Sequence, residues 1–477
     1  MESFRKCLEY CQLSDLGFIG DQFTWRNNNH TAEKYIQERL DRALATQHWC
    51  LCFPEVQVVH ADHRHSDHRP TVVCCDHQSI RMGENPPRQS FRFEASWLLE
   101  EDCAEVIQNA WTSAFLKQSM TVHEALQRTA CELMDCNKNV MRDLEYRIKK
   151  VKNELEFWHR KPISHHKVDQ EQLLRYKLEK LENQKELFWK QRSHCNWLKH
   201  GDRNTRYFHA FASERRRINW LKKLRNEHGN WVEGEEQLKH LVFKYYSALF
   251  TSQGGSLVSS FLNQIQPRVT QQMNEMLLAD FASAEIKRAL DQMGDLKAPG
   301  PDGMPAIFYK KCWHIVGERV IKEVLQVLNG GEMPAGWNDT NIILIPKVKN
   351  PTKLKIFRPI SLCNVIYKIV SKVLANRLKK ILPDVISSTQ SAFVPGRLIT
   401  DNILVAYEVT QFLRNKKKGK TGYAAVKLDM SRLMIEWSGL FLQAMMRKLG
   451  FHNKWNRLII KCVSTVSYKI RVNNEYT

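Results

Sequence analysis

The chain has 477 residues, enough for two or three domains rather than one core. Its 72 Lys and Arg outnumber 51 Asp and Glu to give a net charge of +21 and a pI near 9.4, the footprint of a polyanion binder, with nucleic acid the leading partner. A hydrophobic fraction of 43% with 10% aromatics argues for folded domains rather than a disordered tail. The 13 cysteines are scattered with no CxxC pair and follow no apolar leader, so a reducing intracellular compartment is expected, and no run approaches 18 uncharged apolar residues, so no membrane span is expected.

Residues 1–77 read as β-rich. Phe23-Thr-Trp25, Val56-Gln-Val-Val59 and Thr71-Val-Val-Cys-Cys75 are short β-branched or aromatic runs. His and Cys crowd the segment from Cys50 to His77, but none falls into a paired zinc-finger spacing, and zinc is not expected. Pro86-Pro87 marks a break, after which the pattern from Phe93 to Glu186 turns helical. Leu144, Ile148, Val151 and Leu155, then Leu174, Leu178 and Leu181, recur at helical spacing on either side of Pro162 and Ser164. The expectation is a helical hairpin with charged outer faces, read as a solvated spacer.

Residues 188–225 carry eleven Lys and Arg against Asp202 and Glu214, with Trp197, Tyr207, Phe208, Phe211 and Trp220 interleaved. Cations neutralise phosphates and aromatic faces stack on unpaired bases, so the composition suits a nucleic-acid groove; the same aromatics also suit the core face of a basic amphipathic helix. Glu285 to Leu290 begins a helix that Gly294 ends, and Lys297-Ala-Pro-Gly-Pro-Asp-Gly303 follows as a rigid turn-rich loop.

Ile342-Ile-Leu-Ile-Pro-Lys347 and Phe357-Arg-Pro-Ile-Ser-Leu362 predict two strands joined by a turn holding Lys349, Lys353 and Lys355. Such a hairpin sets Lys347 and Arg358 where a flap could clamp a triphosphate. Tyr423-Ala-Ala-Val-Lys-Leu-Asp-Met-Ser431 reads as a buried strand delivering one carboxylate, Asp429.

Taken in order, KAPGPDGMP from Lys297, ILIPK to Lys347, FRPISLCNVIYKIVSKVLANRL from Phe357, QSAFVPGRLITDNIL from Gln390 and KLDMS from Lys427 closely resemble the fingers and early palm of reverse transcriptases of non-LTR (LINE-type) retrotransposons, particularly the plant kind. Asn196-Trp-Leu-Lys-His-Gly-Asp-Arg-Asn-Thr-Arg-Tyr-Phe-His209 and Gly229-Asn-Trp-Val232 look like the connector of those polyproteins. Phe23-Thr-Trp25, Glu38-Arg-Leu-Asp-Arg-Ala-Leu44 and Ser66-Asp-His-Arg-Pro70 resemble the end of their endonuclease/exonuclease/phosphatase-type nuclease.

The resemblance implies an α+β fold in three parts: a partial nuclease β-sandwich over 1–77, a basic α-helical connector over 78–269, and an incomplete fingers and palm over 270–477. It implies RNA-directed DNA synthesis on RNA and DNA partners in the nucleus, with deoxynucleotides as substrate and Mg²⁺ as cofactor. Asp429 matches the first metal-binding aspartate of the palm, and Lys347 and Arg358 match the residues that hold the incoming nucleotide's phosphates. Arg397 falls in a block near the template path, and Arg203, Arg206, Arg215, Arg216 and Arg217 are the connector's candidates for nucleic-acid contact. Asp67 and His68 match the nuclease's Asp-His pair, in which a carboxylate orients the imidazole, while Asp41 and Thr24 match further positions of that site. After Asp429 the sequence runs Met-Ser-Arg-Leu-Met-Ile-Glu436-Trp437, two residues shorter than the family pattern, and it lacks the aromatic that screens the sugar 2′ position. No Asp-Asp block or thumb follows within the 477 residues, and no metal-binding glutamate accompanies the nuclease motifs, so the expectation is a fragment of the polyprotein without catalytic activity; the alternative is a non-catalytic RNA- or DNA-binding protein.

Overall fold

The computed structural model of the chain describes residues 2–19, 22–27, 36–54, 56–60, 68–75, 91–116, 120–137, 144–159, 161, 165–193, 208, 211, 214–215, 218–251, 262–426, 439–473 and 475–477. Helix and strand are both present, as the α+β expectation requires.

The N-terminal stretch opens on α1 (Glu2–Tyr10) and continues through β1 (Leu13–Asp15), β2 (Trp25–Arg26), β3 (Gln37–Glu38), β4 (Leu44–Thr46), α2 (Gln47–Cys52), β5 (Gln57–His60) and β6 (Thr71–Cys74). These strands pair two by two, β1 with β4, β2 with β3 and β5 with β6, so among the described residues the expected partial sandwich is a set of small antiparallel ladders. The reason is size: Leu16, Ala45, Val56 and Val58 are the fully buried apolar residues of this cluster, too few to separate two sheet layers.

Four helices follow, α3 (Glu101–Leu116), α4 (Val122–Cys136), α5 (Leu144–His159) and α6 (His165–Ser193). Helix α4 begins where Thr121 can cap it: its hydroxyl accepts the Glu124 N–H at 3.3 Å, and Glu124 returns a carboxylate to the Thr121 N–H at 2.8 Å. Helices α5 and α6 form the expected hairpin, with Ile148, Leu155, Leu174 and Leu181 buried along the seam. The hairpin is more than a solvated spacer. At its end the Gln191 side chain donates to Phe93 O at 2.9 Å and accepts the Ala95 N–H at 2.8 Å, so it is tied into the backbone of the preceding segment.

Strands β7 (Lys223–Arg225) and β8 (Trp231–Glu233) lead into α7 (Glu235–Phe250), then α8 (Gln271–Leu278), α9 (Ser283–Asp291), α10 (Ala306–Lys311) and α11 (Trp313–Leu328). Next come β9 (Asp339–Pro346), β10 (Phe357–Cys363), α12 (Val365–Leu378), α13 (Leu382–Val385), α14 (Ile399–Asn415), α15 (Gly439–Lys448), α16 (Asn453–Ser464), β11 (Ser467–Val472) and β12 (Glu475–Tyr476).

One large core joins Trp97, Ile107 and Trp111 of the connector to Val316, Val320, Trp337, Ile366 and Trp455 further on. Packing therefore runs across residue 270 without a gap, because α3 and α4 bury their apolar faces against α11. A second core sits under the four-stranded sheet β10-β9-β11-β12, where Ile342, Leu344, Phe357 and Ile470 meet Leu238, Val242 and Tyr246 of α7. Each side chain buried this way contributes about 1.5–3 kcal/mol.

Two loop contacts fix the sheet beside the large core. A Cβ on Gly300 would lie 2.2 Å from Asn364 Oδ1 and 2.4 Å from Asn364 N, and one on Gly303 (φ +71°) would lie 2.2 Å from Phe91 O, so both positions of the KAPGPDG loop demand glycine. Asn364 in turn accepts the Asp302 N–H at 3.1 Å and donates to Gly336 O at 2.7 Å.

Candidate nucleotide and nucleic-acid site

Alternation along ILIPK and FRPISL produces the hairpin β9–β10, with Arg358 opposite Ile345 and Phe357 opposite Pro346. Ile342, Leu344 and Phe357 turn inward, which leaves the other face to Ile343, Ile345, Arg358 and Ile360. The ladder runs one bond further, Lys347 N–H to Ile356 O at 2.8 Å, and this sets Lys347 on the same outward face as Arg358. Both side chains are exposed, and the Lys347 ammonium donates to Lys355 O at 3.2 Å within the lysine-rich turn. Strand β11 runs parallel to β9 with Lys469 beside Asn341 and Arg471 beside Ile343, so those two cations share the face.

Arg397, expected in a block near the template path, makes contacts within its own loop. Its guanidinium donates to the carbonyls of Ser387, Gln390 (2.7 Å), Pro383 (2.9 Å) and Ile386 (3.2 Å), and so ties down the loop that precedes α14. A planar five-donor group surrounded by carbonyls is spent on its own loop.

Of the connector arginines, Arg203, Arg206, Arg216 and Arg217 lie outside the described residues; Arg215 donates to Ser193 O at 3.1 Å, at the end of α6. Phe208, one of the interleaved aromatics, is 2% exposed and belongs to the packing rather than to a stacking surface. Trp231 carries the cations of Lys223 and Arg225 over its ring at 4.9 and 4.7 Å.

Asp429 also lies outside the described residues. The part of its expected strand that is described, Tyr423-Ala-Ala-Val426, is neither strand nor buried: Tyr423 is 59% and Val426 78% exposed. A strand needs a neighbour for its N–H and C=O groups, and no described strand pairs with these residues. Among the described residues no group of three His, Cys, Asp or Glu could hold a metal ion, so the fit of Mg²⁺ finds no support there.

In the N-terminal stretch His68 Nδ1 lies 2.7 Å from Asp41 Oδ2. The carboxylate beside the imidazole is thus Asp41, supplied from the chain before β4, whereas Asp67 lies outside the described residues. Thr24 is fully buried; its hydroxyl accepts the Asp41 N–H at 2.9 Å, and its carbonyl accepts the Arg69 N–H at 2.7 Å, which draws the three motif pieces together. Partial burial pushes the Asp41 carboxyl up, but hydrogen bonds from His68 and Thr24 outweigh it and hold the group below its ordinary value.

Residues missed by the motif reading concentrate around the KAPGPDG loop. Asp302 is half-buried with its Oδ2 shielded from solvent, and desolvation pushes its carboxyl up to about 7 against the opposing Met304 N–H and the Lys368 charge. Arg377, in the LANRL block, is 5% exposed and binds both Glu285 oxygens as well as the Leu277 and Asp280 carbonyls.

Comparison with known proteins bears directly on this region. Residues 345–468, from β9 to β11, match the family model described as reverse transcriptase (RNA-dependent DNA polymerase). The chain is 29% identical over 242 residues to the transposon TX1 uncharacterized 149 kDa protein of Xenopus laevis, an alignment covering 50% of this chain and 18% of that protein. It is 26% identical over 137 residues to the retrovirus-related Pol polyprotein from type-1 retrotransposable element R2 of Bradysia coprophila, covering 28% of this chain and 15% of the relative. The R2 polyprotein of Nasonia vitripennis is 26% identical over 122 residues, 26% of this chain and 11% of its own. The chain thus spans less than a fifth of the length of these relatives. The hairpin therefore lies largely within a segment similar to the reverse transcriptases of non-LTR retrotransposon polyproteins. No helix among the described residues is long and apolar enough to cross a membrane.

Proposed function

We propose that the chain supplies the fingers and the first palm block of an RNA-directed DNA polymerase, with β9–β10 gripping the phosphates of an incoming deoxynucleotide. The observation that carries this reading is the common outward face of Lys347 and Arg358, two exposed cations one diagonal step apart on a rigid hairpin. Such a pair neutralises a triphosphate: the guanidinium offers a planar fork and the ammonium a point charge. Template RNA and nascent DNA are the proposed partners, and the nucleus the proposed compartment.

Mg²⁺ would screen the phosphate charge that develops in transfer, and Asp429 is the carboxylate proposed to hold it. A photoreactive deoxynucleotide tests the site. The expected adducts map to residues 345–363; adducts confined to other segments overturn the reading.

A second reading concerns the N-terminal stretch. The 2.7 Å contact between His68 and Asp41, with Thr24 behind it, favours descent from a phosphodiester-cleaving nuclease of the endonuclease/exonuclease/phosphatase type, in which Asp67 would be a further site residue. The plant-type origin belongs to the same proposal.

A further inference from the structure

In the β7–β8 ladder Lys223 stands opposite Glu233, Leu224 opposite Val232 and Arg225 opposite Trp231. Leu224 is fully buried and shares the second core with Leu354 of the lysine-rich turn, so Lys223 and Arg225 on either side of it face outward and are exposed. Trp231 lies on that same outward face. The Arg225 guanidinium comes within 4.7 Å and the Lys223 ammonium within 4.9 Å of its ring centre, yet Trp231 remains 43% exposed.

The ladder sits against the β9–β10 hairpin. The Arg225 N–H donates to Thr352 O at 2.7 Å, which fixes β7 beside the turn that joins the two hairpin strands. In that turn Lys353 and Lys355 are exposed on either side of buried Leu354, and Lys347 reaches back to Lys355 O. Cations therefore follow one another from Lys347 through Lys355 and Lys353 to Arg225 and the open indole. The carboxylates of these two segments are Glu227, in the β7–β8 turn, and Glu233, which lies 3.6 Å from Lys223 and leaves Arg225 unopposed across the ladder. An open aromatic ring edged by cations suits a ligand that is both flat and anionic, since the ring takes a base face while the cations take the phosphates beside it. A duplex hides its base faces in the stack, so the strand that fits is unpaired. An acidic peptide would engage the cations and leave the ring unused.

We propose that Trp231, with Arg225 and Lys223, is a stacking platform for one unpaired base of single-stranded RNA, and that Lys353 and Lys355 hold the phosphates next to that base. The inference rests on the polymerase reading only in taking this strand to be the template that leads toward the β9–β10 grip.

Fluorescence anisotropy over a salt series, on the full chain and without nucleotide, tests it with two labelled strands of equal length, oligo(U) RNA and an abasic strand with the same phosphates. Trp231→Ala is expected to weaken oligo(U) binding roughly tenfold at an unchanged salt slope, and to leave the abasic strand's affinity as it was. Trp231→Phe, which keeps a stacking face, is expected to retain most of the affinity. Arg225→Gln and Lys353→Gln are each expected to flatten the slope of log affinity against log salt by about 0.7 on both strands. Oligo(U) affinity that is the same in Trp231→Ala and the parent overturns the proposal, as does a phenylalanine variant as weak as the alanine one. An equal loss on the abasic strand also overturns it, because the patch would then bind anions without stacking, and so do unchanged slopes in both glutamine variants. Deoxynucleoside triphosphate binding is expected to be the same in Trp231→Ala and the parent, so a failure of the hairpin's nucleotide grip is read separately from a failure of the platform.

Discussion

Arg377 of α12 holds both carboxylate oxygens of Glu285 at the start of α9, Nε at 2.9 Å and Nη2 at 2.7 Å, while the rest of its fork reaches the carbonyls of Leu277, Ala279 and Asp280. The guanidinium also lies 3.7 Å from the Phe281 ring centre. One buried side chain thereby closes the turn between α8 and α9 against α12. Replacing it with alanine strands a carboxylate and three carbonyls, and a loss of about 3–5 kcal/mol is expected in urea unfolding. Arg377→Lys keeps the charge but not the fork, and is expected to recover less than half of that loss. A lysine variant as stable as the parent would contradict this account.

The same pair predicts a pH dependence. The Arg377 hydrogen bond, against partial burial, holds the Glu285 carboxyl below its ordinary value, so the stability it contributes is present above the ordinary glutamate range and is lost as pH falls through the lowered folded value. The stability gap between parent and Arg377→Ala should narrow on acidification below about pH 4. A gap that stays constant down to the acid transition would count against the ion pair.

Asp302 predicts the opposite sign. Burial raises its carboxyl to about 7, its Oδ2 has no partner, and the buried Tyr309 hydroxyl likewise lacks one. A raised carboxyl is an advantage below the unfolded value near 3.9, and the advantage disappears as pH climbs to about 7. Across that window the cost of ionising it reaches at most about 4 kcal/mol. Asp302→Asn preserves an oxygen for the Met304 N–H, bonded at 3.0 Å, and should gain stability relative to the parent at pH 8 compared with pH 5. Thermal melts giving the same difference at both pH values would place the charge elsewhere.

For the N-terminal stretch, the Asp41 carboxyl should titrate below the ordinary aspartate value near 3.9, and Thr24→Val should bring it back up, because a hydrogen bond that favours the charged form is lost. Carbon-detected NMR of the carboxyl reads this directly. A midpoint that does not move in the valine variant would mean His68 alone sets it.

The hairpin was legible in the sequence because alternation, a lysine-rich turn and the two flanking runs all agree on one register. The KAPGPDG loop was legible as a turn, whereas its role as an anchor was not: the contacts that make Gly300 and Gly303 obligatory come from Asn364 and Phe91, far away in the chain. Arg397 illustrates the limit of a motif. A cation in a familiar block says nothing about which acceptors surround it, and here they are the carbonyls of its own loop. The Tyr423 run failed for another reason, since a short apolar segment without alternation specifies burial only if a neighbouring strand takes its backbone. Nor could periodicity reveal that Trp97 and Trp111 share a core with Trp337 and Trp455, because long-range packing leaves no mark in a local window.

Equilibrium binding of a fluorescent deoxynucleoside triphosphate to the intact chain and to Lys347→Ala and Arg358→Ala tests the central claim most directly. Each charged contact to a phosphate is worth about 1.5–3 kcal/mol, so each variant is expected to bind at least tenfold more weakly, with unfolding midpoints unchanged because both side chains are exposed. Affinity that is the same in all three proteins would contradict the assignment of the β9–β10 hairpin as the nucleotide grip.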